Sequence, residues 1–408
     1  MIYYINYNWK KDKIFKMSEK RKKARISDIR EMEQELKEEQ KELKEKRKNR
    51  KKHRRVLRLK KLLIFVFLLG TICCYVGLIV VYGPNTKFRN WFITTAEASM
   101  RHKYYARWFY DEDTISYVMS QNSTIEAGIT DVSLYHIDKS HANSEAVSGK
   151  VTYKNEYERQ ILERDPEHPD YKIIEFKDEK LKSGRTFDGY LAVIYDASRI
   201  HTVATQYLGT RGEYLKNMAQ RVNAVVAING GGFVDPNYNS NGATPLGITI
   251  SKGEVLRSDE HYGGAGGIIG FNEDDQLILT KCSRSQAQYL GIRDCVTFGP
   301  FIIVNGEASK VVGNGGWGVA PRTVIGQRAD GIVLFFISDG RSGLKQGIDM
   351  NDEIEIMQRY RAINAANLDG GTSSVMIVNG EMINDPIDST GAHKTRWIST
   401  GFYLEPAE

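Results

Sequence analysis

Residues 322–343 read RTVIGQRADGIVLFFISDGRSG. Two runs rich in β-branched and aromatic residues, 322–327 and 331–338, flank a short polar turn, and the second stops abruptly at Ser338, Asp339, Gly340 and Arg341. Short apolar runs bounded by Gly, Asn and Asp read as strands. The same texture extends in both directions: YLAVIYD (190–196), AVVAIN (224–229), LGITISKGEVL (246–256), GIIGF (267–271), QLILT (276–280), PFIIVNGE (300–307), AANLD (365–369) and SSVMIVNG (373–380). ISKGEV, VNGE and VNGEM carry hairpin turn chemistry. Two amphipathic stretches, about 211–222 and 350–362, predict helices. The class is α+β: a largely β core of mixed sheet with a few helices.

The N-terminal part follows other rules. Residues 62–82, LLIFVFLLGTICCYVGLIVVY, hold no charge over 21 positions, enough helix for about 30 Å of hydrocarbon. A cleavable signal has a shorter apolar region, which favours a permanent signal anchor. KKHRRVLRLKK precedes the span, so the positive-inside rule puts the N-terminus in the cytoplasm and the C-terminal domain outside the cell membrane. Residues 1–61 carry 24 Lys and Arg against 10 Asp and Glu, a net +14. The whole chain carries +6, so the remainder carries −8, and a nucleic-acid partner would rest on the tail alone. Residues 26–50 predict a charged helix with Ile29, Met32, Leu36 and Leu43 on one stripe, and Met17 is a candidate start. The organisation expected is a basic cytoplasmic tail (1–61), the anchor (62–82), an aromatic juxtamembrane collar and linker (83–180) and a catalytic-type domain (181–408). Outside the membrane, Cys282 and Cys295 predict a disulfide, which an oxidising exterior permits.

Four segments pair a strand with polar residues at its end. AVVAINGGGFVDPNYNSNG (224–242) offers Asn229, the Gly230–Gly232 turn and Asp235. GVAPRTVIGQ (318–327) puts Arg322 at a strand mouth, suited to bidentate binding of phosphate or carboxylate. FFISDGRSG (335–343) brings Asp339 and Arg341, and NAANLDGGTSSVMIVNG (364–380) brings Asp369, Gly370, Gly371, Thr372 and Ser373. Two aspartates at strand ends suit glycosidic C–O cleavage, and the N–H and hydroxyl groups after Gly371 suit an anion. The chain has no G-x-S-x-G elbow, no H-E-x-x-H and no P-loop, and GGAGG (263–267) opens no helix. His201, His261 and His393 are scattered, and DMNDE (349–353) reads as a helix N-cap. No metal set or cofactor is expected.

Taken in order, AINGGGF, GPFIIVNGE, PRTVIGQ, SDGR and NLDGGTSSVMIVNG resemble the phosphodiester glycosidase family over roughly residues 186–404. The collar, FRNWFITTAEASMRHKYYARWFY, is similar to that of membrane-anchored bacterial members. The resemblance implies cleavage of a sugar–O–phosphate bond at the anomeric carbon. Phosphate is a weakly basic leaving group and needs charge neutralisation, which assigns Arg322 and Arg341 to it. It also implies Asp369, then Asp339, as the carboxylate facing the sugar. Asn229 and the glycine turn would hold sugar hydroxyls, Thr372 and Ser373 would add donors, and the loop 389–400 with His393 and Arg396 would close over the site. One departure stands out: the family reads DGGGSS where this chain has Thr372 in place of the third glycine. The expected substrate is a small glycosyl phosphodiester, or an N-acetylglucosamine-type glycosyl-phosphate polymer of wall or capsule. A non-catalytic domain binding anionic glycopolymer is the alternative.

Overall fold

The computed structural model describes residues 11–19, 26–98, 103–134, 137, 153–235, 241–259 and 266–407. The chain divides into two units, Met1–Pro84 and Asn85–Glu408. In the first, the charged segment and the apolar segment are not separate elements: Ile26–Tyr82 is one 57-residue helix. Its C-terminal part is long and apolar enough to cross a membrane.

The second unit is built on three sheets. The seven-stranded sheet runs Glu307–Ala308, Phe301–Val304, Ala362–Asn367, Arg322–Arg328, Val333–Ser338, Thr186–Ile194 and Tyr171–Lys180 from edge to edge. A five-stranded sheet runs Glu381–Met382, Met376–Val378, Val226–Asn229, Thr400–Leu404 and Ile200–Ala204. The other runs Glu254–Ser258, Ile248–Ser251, Ile292–Phe298, Gly267–Asn272 and Leu277–Thr280. The α+β class is as expected, but the sheets are not mixed. Among the described residues every strand pair is antiparallel; six of the fourteen neighbouring pairs in these sheets are consecutive strands joined as hairpins, which must pair so. Lys252–Gly253, Asn305–Gly306 and Asn379–Gly380 each have positive φ at both turn residues, the geometry that matches strand twist.

The central strand Val333–Ser338 shows why its sequence is apolar without alternation. Side chains on a strand point alternately to opposite faces. Val333, Phe335 and Ile337 enter the core shared with the five-stranded sheets, beside Phe271, Leu279, Ile228 and Phe402. Leu334 and Phe336 face the other way, toward Ile161 and the helix Met350–Arg359. Both faces are dry, and each buried Phe contributes about 2–3 kcal/mol. The helix Met350–Arg359 begins where DMNDE predicts, with Asp349 accepting bonds from the N–H groups of Asn351 and Asp352.

Two expectations are corrected. Cys282 and Cys295 are not bonded to each other. Cys295 is a buried thiol facing the Ile248 carbonyl at 3.9 Å, among Ile248, Ile250 and Ile278. Nor is 83–180 a separate collar and linker. Tyr171–Lys180 is an edge strand paired with Thr186–Ile194, so a boundary at 180 cuts a hairpin. Ser123–Ile125 pairs with Lys310–Val312. The collar itself is helical: Thr86–Ala98, Tyr104–Arg107 and Glu112–Ser120 close over Ile93, Ala96, Ala106, Ile115 and Val118. Asn314 donates to Thr94 Oγ1 at 2.5 Å, which ties the collar to the loop before Arg322.

Candidate active site

Strand pairing sets Arg322 opposite Ser338 and Val324 opposite Asn367. Beyond those pairs the chain ends of three strands are stitched together. The Leu368 N–H donates to Thr323 O at 2.8 Å, Asp369 N–H to Gly230 O at 3.1 Å, and Gly371 N–H to Pro321 O at 2.8 Å. Segments far apart in sequence thus meet around one turn, Gly370–Ser373.

Asn229 is the knot of this junction. Its Nδ2 donates to Asp369 O at 2.5 Å, while its Oδ1 accepts from Thr323 Oγ1 at 2.8 Å and Val375 N–H at 3.2 Å. The side chain is buried. The expectation that it holds sugar hydroxyls is therefore replaced by another role: it positions Asp369. The three glycines after it serve packing. A Cβ on Gly230, Gly231 or Gly232 would lie 2.7 Å from Thr400 Oγ1, 2.5 Å from Thr297 O and 2.6 Å from the Phe298 ring. Gly231→Ala is expected to destabilise the fold by about 1–3 kcal/mol through overpacking, read as a lowered midpoint in thermal unfolding. An unchanged midpoint would contradict that packing.

Asp369 stands at the surface end of the junction. Burial raises its pKa above the usual aspartate range, and nearby Asp235 adds to this. Arg396, the Ser373 hydroxyl and the Gly370 N–H oppose the rise without cancelling it. Ser373 Oγ is buried and makes no full hydrogen bond among the described residues, so its effect on Asp369 comes from a loose approach. Arg396 lies over the Phe233 ring at 4.4 Å and reaches Asp235 Oδ2 at 3.8 Å. The 389–400 loop thus delivers Arg396 to Asp369, but not His393. His393 is exposed and bonds Asp385 at 2.8 Å.

Arg341 lies on the other side of the turn. It adopts a left-handed φ of 62°, and its Nη1 donates to Thr372 Oγ1 and Ile387 O, both at 3.0 Å. Burial lowers its pKa; Asp388 resists that, while Arg322 and Arg396 reinforce it as like charges. Asp388 belongs elsewhere. Burial works against its ionisation, yet Lys394 at 2.7 Å and the Thr390 and Ala392 groups hold its carboxyl well below the usual range. Thr372 is not among the residues of positive φ; Gly371 takes that conformation at 64°. The departure from three glycines therefore introduces no backbone strain, and the extra hydroxyl accepts the Arg341 bond.

Arg322 is placed differently from expectation. Its Nη2 donates to Trp317 O and Gly318 O, both at 2.7 Å, and its Nε to Ile348 O at 3.3 Å. Glu353 Oε1 is 3.3 Å from Nε, and both groups are buried. Burial lowers the Arg322 pKa, with Glu353 opposing. The same burial pushes Glu353 up to about 8, with Arg322 opposing. Nε and Nη2 are thus taken by carbonyls, and the Arg322 stem passes close to the turn, its Cδ 3.8 Å from where a Cβ on Gly370 would lie.

Asp339 follows the strand Val333–Ser338 and is linked to the Ser374 end of the turn through Asn384. Asn384 Nδ2 donates to it at 3.0 Å and also to Ser374 O at 3.0 Å, and Asp385 N–H donates at 3.2 Å. Burial raises its pKa despite these donors, and the Asp385 and Asp188 carboxylates add to the rise. Asn384 and Asp385 escaped the sequence reading. The only signal was Asn-Asp-Pro shortly after a hairpin, which reads as a turn. His201 is structural, bonding Asp294 at 3.0 Å and Glu405 at 3.1 Å; His261 lies outside the described residues. No group of three or more metal-ligating side chains occurs among the described residues.

The chain is similar in part to known proteins. The family model for phosphodiester glycosidase matches residues 222–405. Over 203 residues the chain is 30% identical to the SPbeta prophage-derived uncharacterized protein YomE of Bacillus subtilis (strain 168), covering 48% of this chain and 30% of that protein. Over 70 residues it is 30% identical to the N-acetylglucosamine-1-phosphodiester alpha-N-acetylglucosaminidase of Mus musculus, covering 17% and 13%. The chain thus spans less than a third of the length of the curated relatives it matches. The solved zebrafish N-acetylglucosamine-1-phosphodiester alpha-N-acetylglucosaminidase catalytic domain, auto-inhibited by its pro-peptide, aligns with 60% of this chain and 86% of its own at 21% identity and a TM-score of 0.49. Residues 222–405, a little under half of the chain, are thus similar to the phosphodiester glycosidase family.

Proposed function

We propose that this domain hydrolyses a sugar-1-phosphodiester at the anomeric C–O bond. Water supplies the new sugar hydroxyl, and the phosphate leaves as a monoester. The observation that carries this reading is the grouping at the Gly370–Ser373 turn of a half-buried carboxylate, Asp369, with Arg396, which acts on it, and Arg341, which donates to Thr372 Oγ1. A departing phosphate needs positive charge and donors more than a strong acid, and Arg341, Arg396 and the Thr372 hydroxyl supply them. Asp369 faces the oxocarbenium-like carbon as nucleophile or as base for water. Asp339, held by Asn384, is the second carboxylate of the rim. The helix Ile26–Tyr82 anchors the chain in the cell membrane with the domain outside, where N-acetylglucosamine-type phosphodiester linkages of wall or capsular polymers are the substrate class.

Hydrolysis of a synthetic N-acetylglucosamine-1-phospho-alkyl diester in ¹⁸O-water tests the reaction. Label in the sugar supports the proposal; label in phosphate overturns it. Binding without turnover would assign the domain to glycopolymer recognition instead. Arg341→Ala is expected to raise KM for this diester by about 10- to 100-fold, the loss of charge-assisted bonds worth about 1.5–3 kcal/mol. An unchanged KM would remove Arg341 from the phosphate.

A further inference from the structure

We infer that the aromatic face of the collar rests on the lipid bilayer surface beside the span, an inference that depends on the anchoring proposed above. The collar has a sealed inner side, Ile93, Ala106 and Val118 being fully buried. Its outer side is aromatic: Trp108 is 66% exposed, Tyr104 45% and Trp91 41%. The rings pack in two groups. Tyr104, Tyr105 and Trp108 have centroids 4.4–5.4 Å apart, and Phe109, itself exposed, meets Phe92 at 5.8 Å.

Chain continuity names the occupant. The helix Ile26–Tyr82 ends only three residues before Thr86, a tether of about 11 Å at full extension. A surface so tethered has the interfacial zone of a spanned membrane within its reach. Trp and Tyr, apolar in body and polar at one edge, are the side chains that favour that zone. Lys87, exposed at the start of the first collar helix, suits anionic headgroups. The collar is also joined to the site. Thr94 accepts from Asn314, and a Cβ on Gly318 would lie 2.9 Å from Thr95 Cα. Gly318 O accepts from Arg322, whose Cδ lies 3.8 Å from where a Cβ on Gly370 would stand. The bilayer contact therefore presents the site to linkages near the membrane.

The experiment uses the full chain in vesicles of phosphatidylglycerol and phosphatidylethanolamine, with and without lipids brominated at shallow acyl positions. The span itself contains no Trp. Brominated lipid is expected to reduce tryptophan emission, and Trp91→Phe/Trp108→Phe is expected to shrink that reduction about twofold or more. Co-flotation with vesicles but equal quenching in both chains, or none in either, overturns the bilayer contact and leaves the anchor standing. Cross-linking between copies through Trp108 in place of quenching assigns the face to a second copy and overturns it equally. Failure to float with vesicles overturns the anchor and the contact together.

Discussion

Replacing Asp369 by asparagine is expected to lower kcat on a glycosyl phosphodiester by about 10²- to 10⁴-fold, the range typical of a positioned proton-transfer or nucleophilic carboxylate. Affinity for a non-hydrolysable phosphonate analogue should persist, because Arg341 and Thr372 remain in place. The variant should not be less stable. Asp369 carries a pKa raised by burial, so the folded state keeps a proton that the unfolded state releases. Stability therefore falls as pH rises from the ordinary aspartate value through the raised one. Asparagine has no such charge to desolvate and should hold or improve stability at neutral pH, which separates lost chemistry from lost fold. The pH profile adds a second reading. A nucleophile or base acts ionised, so kcat/KM should be lost as pH falls through the raised pKa of Asp369, and the asparagine variant should lack that limb. Undiminished turnover in Asp369→Asn would remove the residue from the mechanism.

The strands were legible in the sequence because both faces of the central sheet are buried. VLFFIS has no polar alternation to confuse it, and the Asn-Gly and Lys-Gly turns fix the hairpins. Asp369 and Arg341 were legible as polar residues where apolar runs stop. What was not legible was the direction in which a strand-end side chain turns. Asn229 and Arg322 look like ligands for a substrate and act as ligands for the backbone. The glycines of AINGGGF suggest an approach to substrate, whereas the close neighbours are Thr400, Thr297 and Phe298. A sequence shows that space is needed but not what fills it. The disulfide failed for a related reason. Compartment permits a bridge, but only geometry makes one, and Cys295 packs in an isoleucine cluster. Asn384 could not be found at all, because its partners, Asp339 and Ser374, are set by tertiary folding.

Arg322→Ala is expected to destabilise the protein by about 3–5 kcal/mol, since removing one member of a buried ion pair strands the other and frees its hydrogen-bond partners. The carbonyls of Trp317, Gly318 and Ile348 would lose their donors, and Glu353 would lose its counter-charge. The pH dependence follows from Glu353, whose pKa is already pushed up to about 8 by burial against the pull of Arg322. Without that pull the folded pKa rises further. A carboxyl raised on folding loses stability as pH rises through the window between its unfolded and folded values. The deficit of Arg322→Ala relative to the parent should therefore widen above about pH 8, where the parent's Glu353 has ionised and the variant's has not. Arg322→Lys keeps a charge but not the fork that reaches several carbonyls, and should recover only part of the loss. The paired change Arg322→Met/Glu353→Leu should be markedly milder than the sum of the single losses, because it removes both buried charges at once. Equilibrium unfolding of the parent, these variants and the single changes Arg322→Met and Glu353→Leu between pH 6 and 9 measures all of this. A parent-like midpoint in Arg322→Ala, joined to a large rise in KM for the diester, would instead return the guanidinium to the substrate.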